Sequence, residues 1–129
     1  MNEGWTFWDY IDRNGKNEIH EWLNSRVVSK KAKAKINARI AAMRGMTVFP
    51  DGWISAYNGW DGLYEMRIGC HGVQYRPFGS YGPHRRQFSF LVGSIEKGGV
   101  IPQSDLQRAD ERRKIVIADP GRVTPHDFR

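Results

Sequence analysis

Two charged side chains, Glu65 and Arg67, interrupt an apolar run, Gly62-Leu63-Tyr64-Glu65-Met66-Arg67-Ile68-Gly69. If that run is a strand, alternation puts Tyr64, Met66 and Ile68 on one face and Leu63, Glu65 and Arg67 on the other. One face can then enter a core, and the other carries a carboxylate and a guanidinium about 7 Å apart. A second strand-like run, Val73-Gln74-Tyr75-Arg76, follows closely enough to pair with it as a hairpin across Gly69-Cys70-His71-Gly72. It brings another guanidinium. Acid beside base on the sheet of a basic protein suits an anionic substrate. His71 in the hairpin loop adds a group able to carry a proton near neutral pH, although a lone loop histidine is also simply an exposed side chain. His20, His84 and His126 are scattered without metal-ligand spacing, so no metal is expected. Cys70 has no recognisable base beside it. There is no P-loop, dinucleotide glycine pattern or serine elbow, and no cofactor is expected.

The 129 residues are enough for one domain and too few for two ordinary ones. Apolar residues make up 40 % and aromatics 12 %, enough core material to exclude whole-chain disorder. No apolar run reaches membrane-spanning length, and the N-terminus lacks a basic-then-apolar signal pattern. With a single cysteine, these features lead to the expectation of a cytoplasmic protein with no membrane partner. The formal charge of +6 is concentrated. Seven basic residues and no acid lie between Arg26 and Arg44, and the rest holds 13 basic against 14 acidic residues. Lys30, Lys33, Lys35 and Arg39 in this segment are candidates for contact with RNA or an acidic partner. The alternative is a solvated helix face.

The elements that must position these groups are readable in outline. Trp5 to Ile11 reads as a first strand. A helix is expected near 17–27 from the spacing of Ile19, Trp22, Leu23 and Val27. Ser29 is a plausible N-cap for a second helix over 30–44, with Ala32, Ile36, Ile40 and Met43 as its apolar stripe and Gly45 as its stop. Residues 46–62 are irregular, with Phe49, Trp53, Tyr57 and Trp60 among turn signals and a possible short edge strand near Trp53 to Tyr57. Aromatics in a loop can stack on bases or cover the end of a core. Arg76 precedes Pro77, which marks its strand as short or at an edge. Gln87 to Ile95 is nearly continuous in apolar residues, as a doubly covered central strand should be. Pro102 to Lys114 reads as a last helix, with Leu106 and Ala109 inward and Arg108, Arg112 and Arg113 outward. Residues 115–129 read as a tail beyond a single domain. Strand, helix pair, three strands and helix make an α+β architecture.

The set Trp5-Thr6-Phe7 through Glu21-Trp22-Leu23, then Gly62 to Ile68, Val73-Gln74-Tyr75-Arg76-Pro77-Phe78 and Gly93-Ser94-Ile95-Glu96-Lys97 resembles the RelE/ParE toxin superfamily, in its HigB-like, phage-derived branch. The resemblance covers roughly residues 5–114. It implies a RelE-like microbial RNase fold with an N-terminal strand, a helical hairpin, a three-stranded antiparallel segment and a C-terminal helix. It further implies a toxin of a type II toxin–antitoxin system, a ribosome-dependent mRNA endonuclease (mRNA interferase) restrained by a cognate antitoxin. In that family cleavage is metal-free and uses the substrate's own 2′-hydroxyl, with basic side chains steadying the developing charge. Arg67, Arg76 and Lys97 match the family's functional basic positions, and Glu65 matches a position that is often charged. The general acid and base differ among members, which leaves Glu65, His71, Tyr75 and Glu96 all open; Tyr75 is also a candidate for RNA contact. Where the family commonly has a lysine before the first hairpin strand, this chain has Tyr57-Asn58-Gly59-Trp60.

Two rival functions share these residues. A gyrase-poisoning ParE-like toxin on the same fold would not need Arg67, Arg76 and Lys97 to converge on one face. A non-catalytic module would bind nucleic acid or protein tightly without cutting. Fold alone does not choose among them.

Overall fold

The structure, a computed structural model, describes residues 4–129. The described elements are β1 (Thr6–Tyr10), α1 (Glu18–Leu23), α2 (Lys30–Met43), β2 (Ser55–Ala56), β3 (Tyr64–Glu65), β4 (Ile68–Cys70), β5 (Val73–Tyr81), β6 (Gln87–Ile95), α3 (Gln103–Ala118) and β7 (Val123–Pro125). The expected α+β class holds. The strands join in one seven-stranded sheet of order β2-β3-β5-β6-β1-β7, with β4 also on β5. Between Gly62 and Ile95 the expected three strands are four, because the first divides into β3 and β4; β3, β4 and β6 each pair antiparallel with β5. Beyond them β1 adds on in parallel to β6, and β7 lies antiparallel to β1.

Both sheet faces are covered, each by its own apolar cluster. Met66, Ile68, Tyr75, Phe88 and Phe90 meet Ile19, Leu23, Ala32, Ile36, Ile40 and Met43 of α1 and α2. Leu63, Phe78, Leu91 and Val92 meet Leu106, Ala109 and Val116 of α3. α2 starts where its cap residue allows: Ser29 Oγ accepts the Ala32 N–H at 3.0 Å. α1 is shorter than the expected 17–27. Asn17 caps its start, and Asn24 closes it by donating its side-chain amide to the His20 carbonyl at 2.8 Å. α1 packs against β6 and β1, and α2 against β4.

Two irregularities set which side chains face which helix. Phe78 pairs with Val92 and Gly79 with Phe90, so Leu91 is an extra residue, a β-bulge. It shifts the alternation: Phe88 and Phe90 face α1 and α2, whereas Val92 and Ser94 face α3. Gly93 therefore points at α1, where any Cβ would overlap the Trp22 indole. The second irregularity is the gap between β3 and β4. Glu65 pairs with Phe78 and Ile68 with Tyr75, so both short strands share one register. Within it Met66 lies opposite Pro77 and donates its N–H to the Pro77 carbonyl at 3.0 Å. Proline has no N–H to return, and the ladder breaks there.

That arrangement corrects the edge reading of Arg76. β5 is nine residues long and central; Pro77 is tolerated because its missing donor falls at the β3–β4 gap. The C-terminal reading is corrected too. α3 runs to Ala118, and residues 119–129 are not a loose tail. Val123–Pro125 pairs with β1, and His126 donates its backbone N–H to the Phe7 carbonyl at 3.0 Å. The His126 side chain is 1 % exposed; its Nδ1 lies 2.7 Å from Asp9 Oδ1 and its Nε2 2.9 Å from Asn37 Oδ1.

Candidate active site

The common register of β3 and β4 sets Arg67 directly opposite Arg76 on β5. Like charges at a cross-strand pair repel, and two glutamates offset them. Glu65 lies diagonally between the arginines: its Oε1 accepts from Arg67 Nε at 2.6 Å and is 4.0 Å from Arg76 Nε. Glu96, just past β6, accepts from Arg76 Nη2 at 2.6 Å. Arg76 Nη1 also donates to the Tyr75 carbonyl at 3.1 Å. Next in the cross-strand row, Ser94 on β6 donates to Asp105 Oδ2 of α3 at 2.6 Å, so the group lies on the α3 face.

These residues line a cleft of about 160 Å³ completed by Tyr57, Gly99 and Ile101. Glu65 is 2 % exposed and Arg76 8 %, whereas the Arg67 side chain is 65 % exposed and closes over the carboxylate from the solvent side. The hydrogen bond to Glu65, reinforced by its charge, raises the Arg67 pKa above the usual guanidinium value. Glu65 Oε2 is buried and makes no hydrogen bond. Such a carboxylate oxygen is an acceptor without a donor, and it costs free energy unless something uses it. A larger groove of about 320 Å³ runs past Trp22 and Gly93. Its arginines are already engaged, Arg112 with Glu18 and the Leu91 carbonyl and Arg108 with Asp105.

The structure brings together Glu65, Arg67 and Arg76 from the candidate set, with Glu96. It does not bring in the others. Lys97 is exposed, at the base of the tight Gly98-Gly99 turn closed by mutual Lys97–Val100 hydrogen bonds, and is not among the residues lining the cleft. His71 occupies the two-residue hairpin turn with Gly72, both at positive φ as that turn requires. It is five residues from Arg76 along β5, roughly 16 Å of strand. Tyr75 is 3 % exposed and packs edge-on to Trp22 on the opposite face, so it is a core residue rather than an RNA contact. Arg112, expected outward, turns in to the Leu91 carbonyl at 2.8 Å.

The basic segment lies on the other side of the sheet, as α2. Lys30 is exposed, but three of its companions have partners within the chain. Lys33 donates to Asn24 Oδ1 at 2.5 Å and to the Arg129 carbonyl. Lys35 donates to the Gly69 carbonyl at 2.5 Å and Arg39 to the Arg67 carbonyl at 3.0 Å; Arg39 also lies over the Trp53 ring. Two residues of strand and four of helix both advance about 6 Å, so the two cations meet successive outward carbonyls, of Gly69 in β4 and of Arg67 just before it. Arg67 thus joins the two sides: its side chain is in the cleft and its carbonyl holds α2.

Tyr57 is the cleft residue that strand alternation missed, because it comes from the irregular 46–62 segment. Its backbone is fixed by the Leu63 carbonyl, which accepts its N–H at 2.9 Å, and its ring packs edge-on to Phe78 at 5.2 Å. Its place just before the first hairpin strand was the available signal. No helix among the described residues is long and apolar enough to cross a membrane. No protein-family model, curated protein or solved structure matches this chain.

Proposed function

We propose that the protein is an endoribonuclease with a RelE-like fold, the toxin of a type II toxin–antitoxin pair that cuts mRNA on the ribosome. Its setting would be the cytoplasm, and its partners the ribosome, mRNA and a cognate antitoxin. The observation that carries the chemistry is Glu65: a buried carboxylate with one oxygen unpartnered, flanked by two guanidiniums.

In the proposed reaction Arg67, the exposed member, moves from Glu65 to the substrate phosphate and uncovers Oε2. Glu65 takes the proton of the ribose 2′-hydroxyl, as a general base within hydrogen-bond reach. The 2′-oxygen attacks the adjacent phosphorus. Arg67 and Arg76 stabilise the charge that grows on the phosphoryl oxygens, and Glu96 holds Arg76 in place. Assignment to translating ribosomes rests on the family resemblance and on the small size of the cleft, which leaves substrate alignment to a larger partner.

The test is to induce the wild-type chain and Glu65→Gln in cells and map 5′ ends of messages with translation running and blocked. New ends that need both Glu65 and translation are expected. A growth defect without cleavage, indifferent to Glu65, would move the reading to a gyrase poison or a binding module.

A further inference from the structure

Resting on that reading, we propose that Tyr57 is the general acid of the reaction and protonates the 5′-oxygen as it leaves. Expulsion of an alkoxide from phosphorus needs a proton donor, and the cleft offers few. His71 and Lys97 do not line it. Glu96 is engaged with Arg76 at 2.6 Å as a charged acceptor, and a guanidinium does not give up its proton in water. The remaining proton-bearing residue that lines the cleft is Tyr57.

Its placement fits the role. The loop from Tyr57 to Leu63 is closed by Tyr57 N–H to the Leu63 carbonyl and Leu63 N–H to the Trp60 carbonyl, at 2.9 and 3.1 Å. The ring is further fixed against Phe78. The ring shares the cleft with the cations Arg67 and Arg76.

The balance closes. The 2′-oxygen forms a bond to phosphorus and its proton goes to Glu65. The bond from phosphorus to the 5′-oxygen breaks with its electron pair on that oxygen, which takes the Tyr57 proton. The products are a 2′,3′-cyclic phosphate and a 5′-hydroxyl, and exchange with water returns the proton from Glu65 to Tyr57.

The experiment uses the full chain on ribosomes programmed with an mRNA cut by the wild type at a mapped site. That site carries either the ordinary linkage or a single 5′-bridging phosphorothiolate, whose thiolate leaves without a proton. Tyr57→Phe keeps the ring against Phe78, so its melting curve should match wild type. Its rate should fall about a hundredfold or more on the ordinary linkage and return to within a few-fold of wild type on the sulfur linkage. Glu65→Gln should be slow on both. Wild-type speed of Tyr57→Phe on the ordinary linkage overturns the assignment, as does an equal loss on both linkages. A wild-type chain that yields no mapped cut on any translated message overturns the nuclease reading itself.

Discussion

Arg76 Nη2 donates to Glu96 Oε2 at 2.6 Å from a side chain that is 9 % exposed, so the central cation of the cleft is also part of the protein's interior. Removing it leaves Glu96 without the guanidinium it accepts from, and Glu65 with Arg67 alone. Breaking one partner out of a buried pair costs on the order of 3 kcal/mol.

Arg76→Ala should therefore lower the melting temperature by several degrees as well as abolish cleavage. Its burial follows from the central place of β5, where Pro77 had suggested an edge. Arg67→Ala is the cleaner probe of chemistry. Its side chain is mostly in solvent, where an ion pair contributes about 1 kcal/mol or less, yet its loss should slow cleavage about a hundredfold. Thermal melts and rates on the same preparations separate the two; equal melting shifts would count against this division.

Within the basic segment, stability and association should separate by residue. Charge reversal at Lys30 and Lys31, both exposed, should weaken RNA association and flatten its salt dependence with little change in melting. Lys35→Ala uncaps the Gly69 carbonyl of β4 and Arg39→Ala the Arg67 carbonyl just before it, and each should cost about 1 kcal/mol. Filter binding over a salt series, with melts alongside, reads both effects.

His126→Ala removes the buried partner of Asp9, a carboxylate with no exposed surface. A loss on the order of 3 kcal/mol is expected. Amide exchange should accelerate first across Val123 to Asp127. If deletion of residues 119–129 left the melting temperature unchanged, the docking of this segment on β1 would be refuted.

Asp127 gives the same segment an acid limit. Its carboxylate accepts from the Arg129 side chain and backbone, which holds its pKa down to about 2 from 3.8. A lowered pKa means stabilisation that is complete above the unfolded value and is lost as pH falls through the folded one. Protection of residues 126–129 should thus be flat above about pH 5 and decline between pH 4 and 2. Asp127→Asn should remove that decline.

What the sequence makes legible is local. α2 follows from Ser29 and a four-residue apolar stripe, and the β4–β5 hairpin from alternation plus His71-Gly72. The cluster of Glu65, Arg67 and Arg76 follows from the same alternation and pairing. What it hides is long-range. Nothing local to Thr6–Tyr10 indicates that it lies parallel to β6, some 80 residues on. The last segment is rich in turn formers, and its order depends on a contact 117 residues away, His126 to Asp9. Pro77 misleads in the opposite way. It signals an edge, and only the gap in the neighbouring strand explains its central position.

The cations of α2 that seat on β4 have a consequence for how another protein can bind. An unpaired strand edge invites a strand from another chain. Along β4 and the residue before it, the outward carbonyls of Gly69 and Arg67 are occupied. Past Phe90, where β1 ends, Arg112 takes the Leu91 carbonyl and the Trp22 indole fills the space above Gly93. The outermost strands, β2 and β7, are two and three residues long. Templated backbone pairing is thereby disfavoured around the perimeter, and an incoming inhibitor would have to recognise this protein through side chains, by shape and charge.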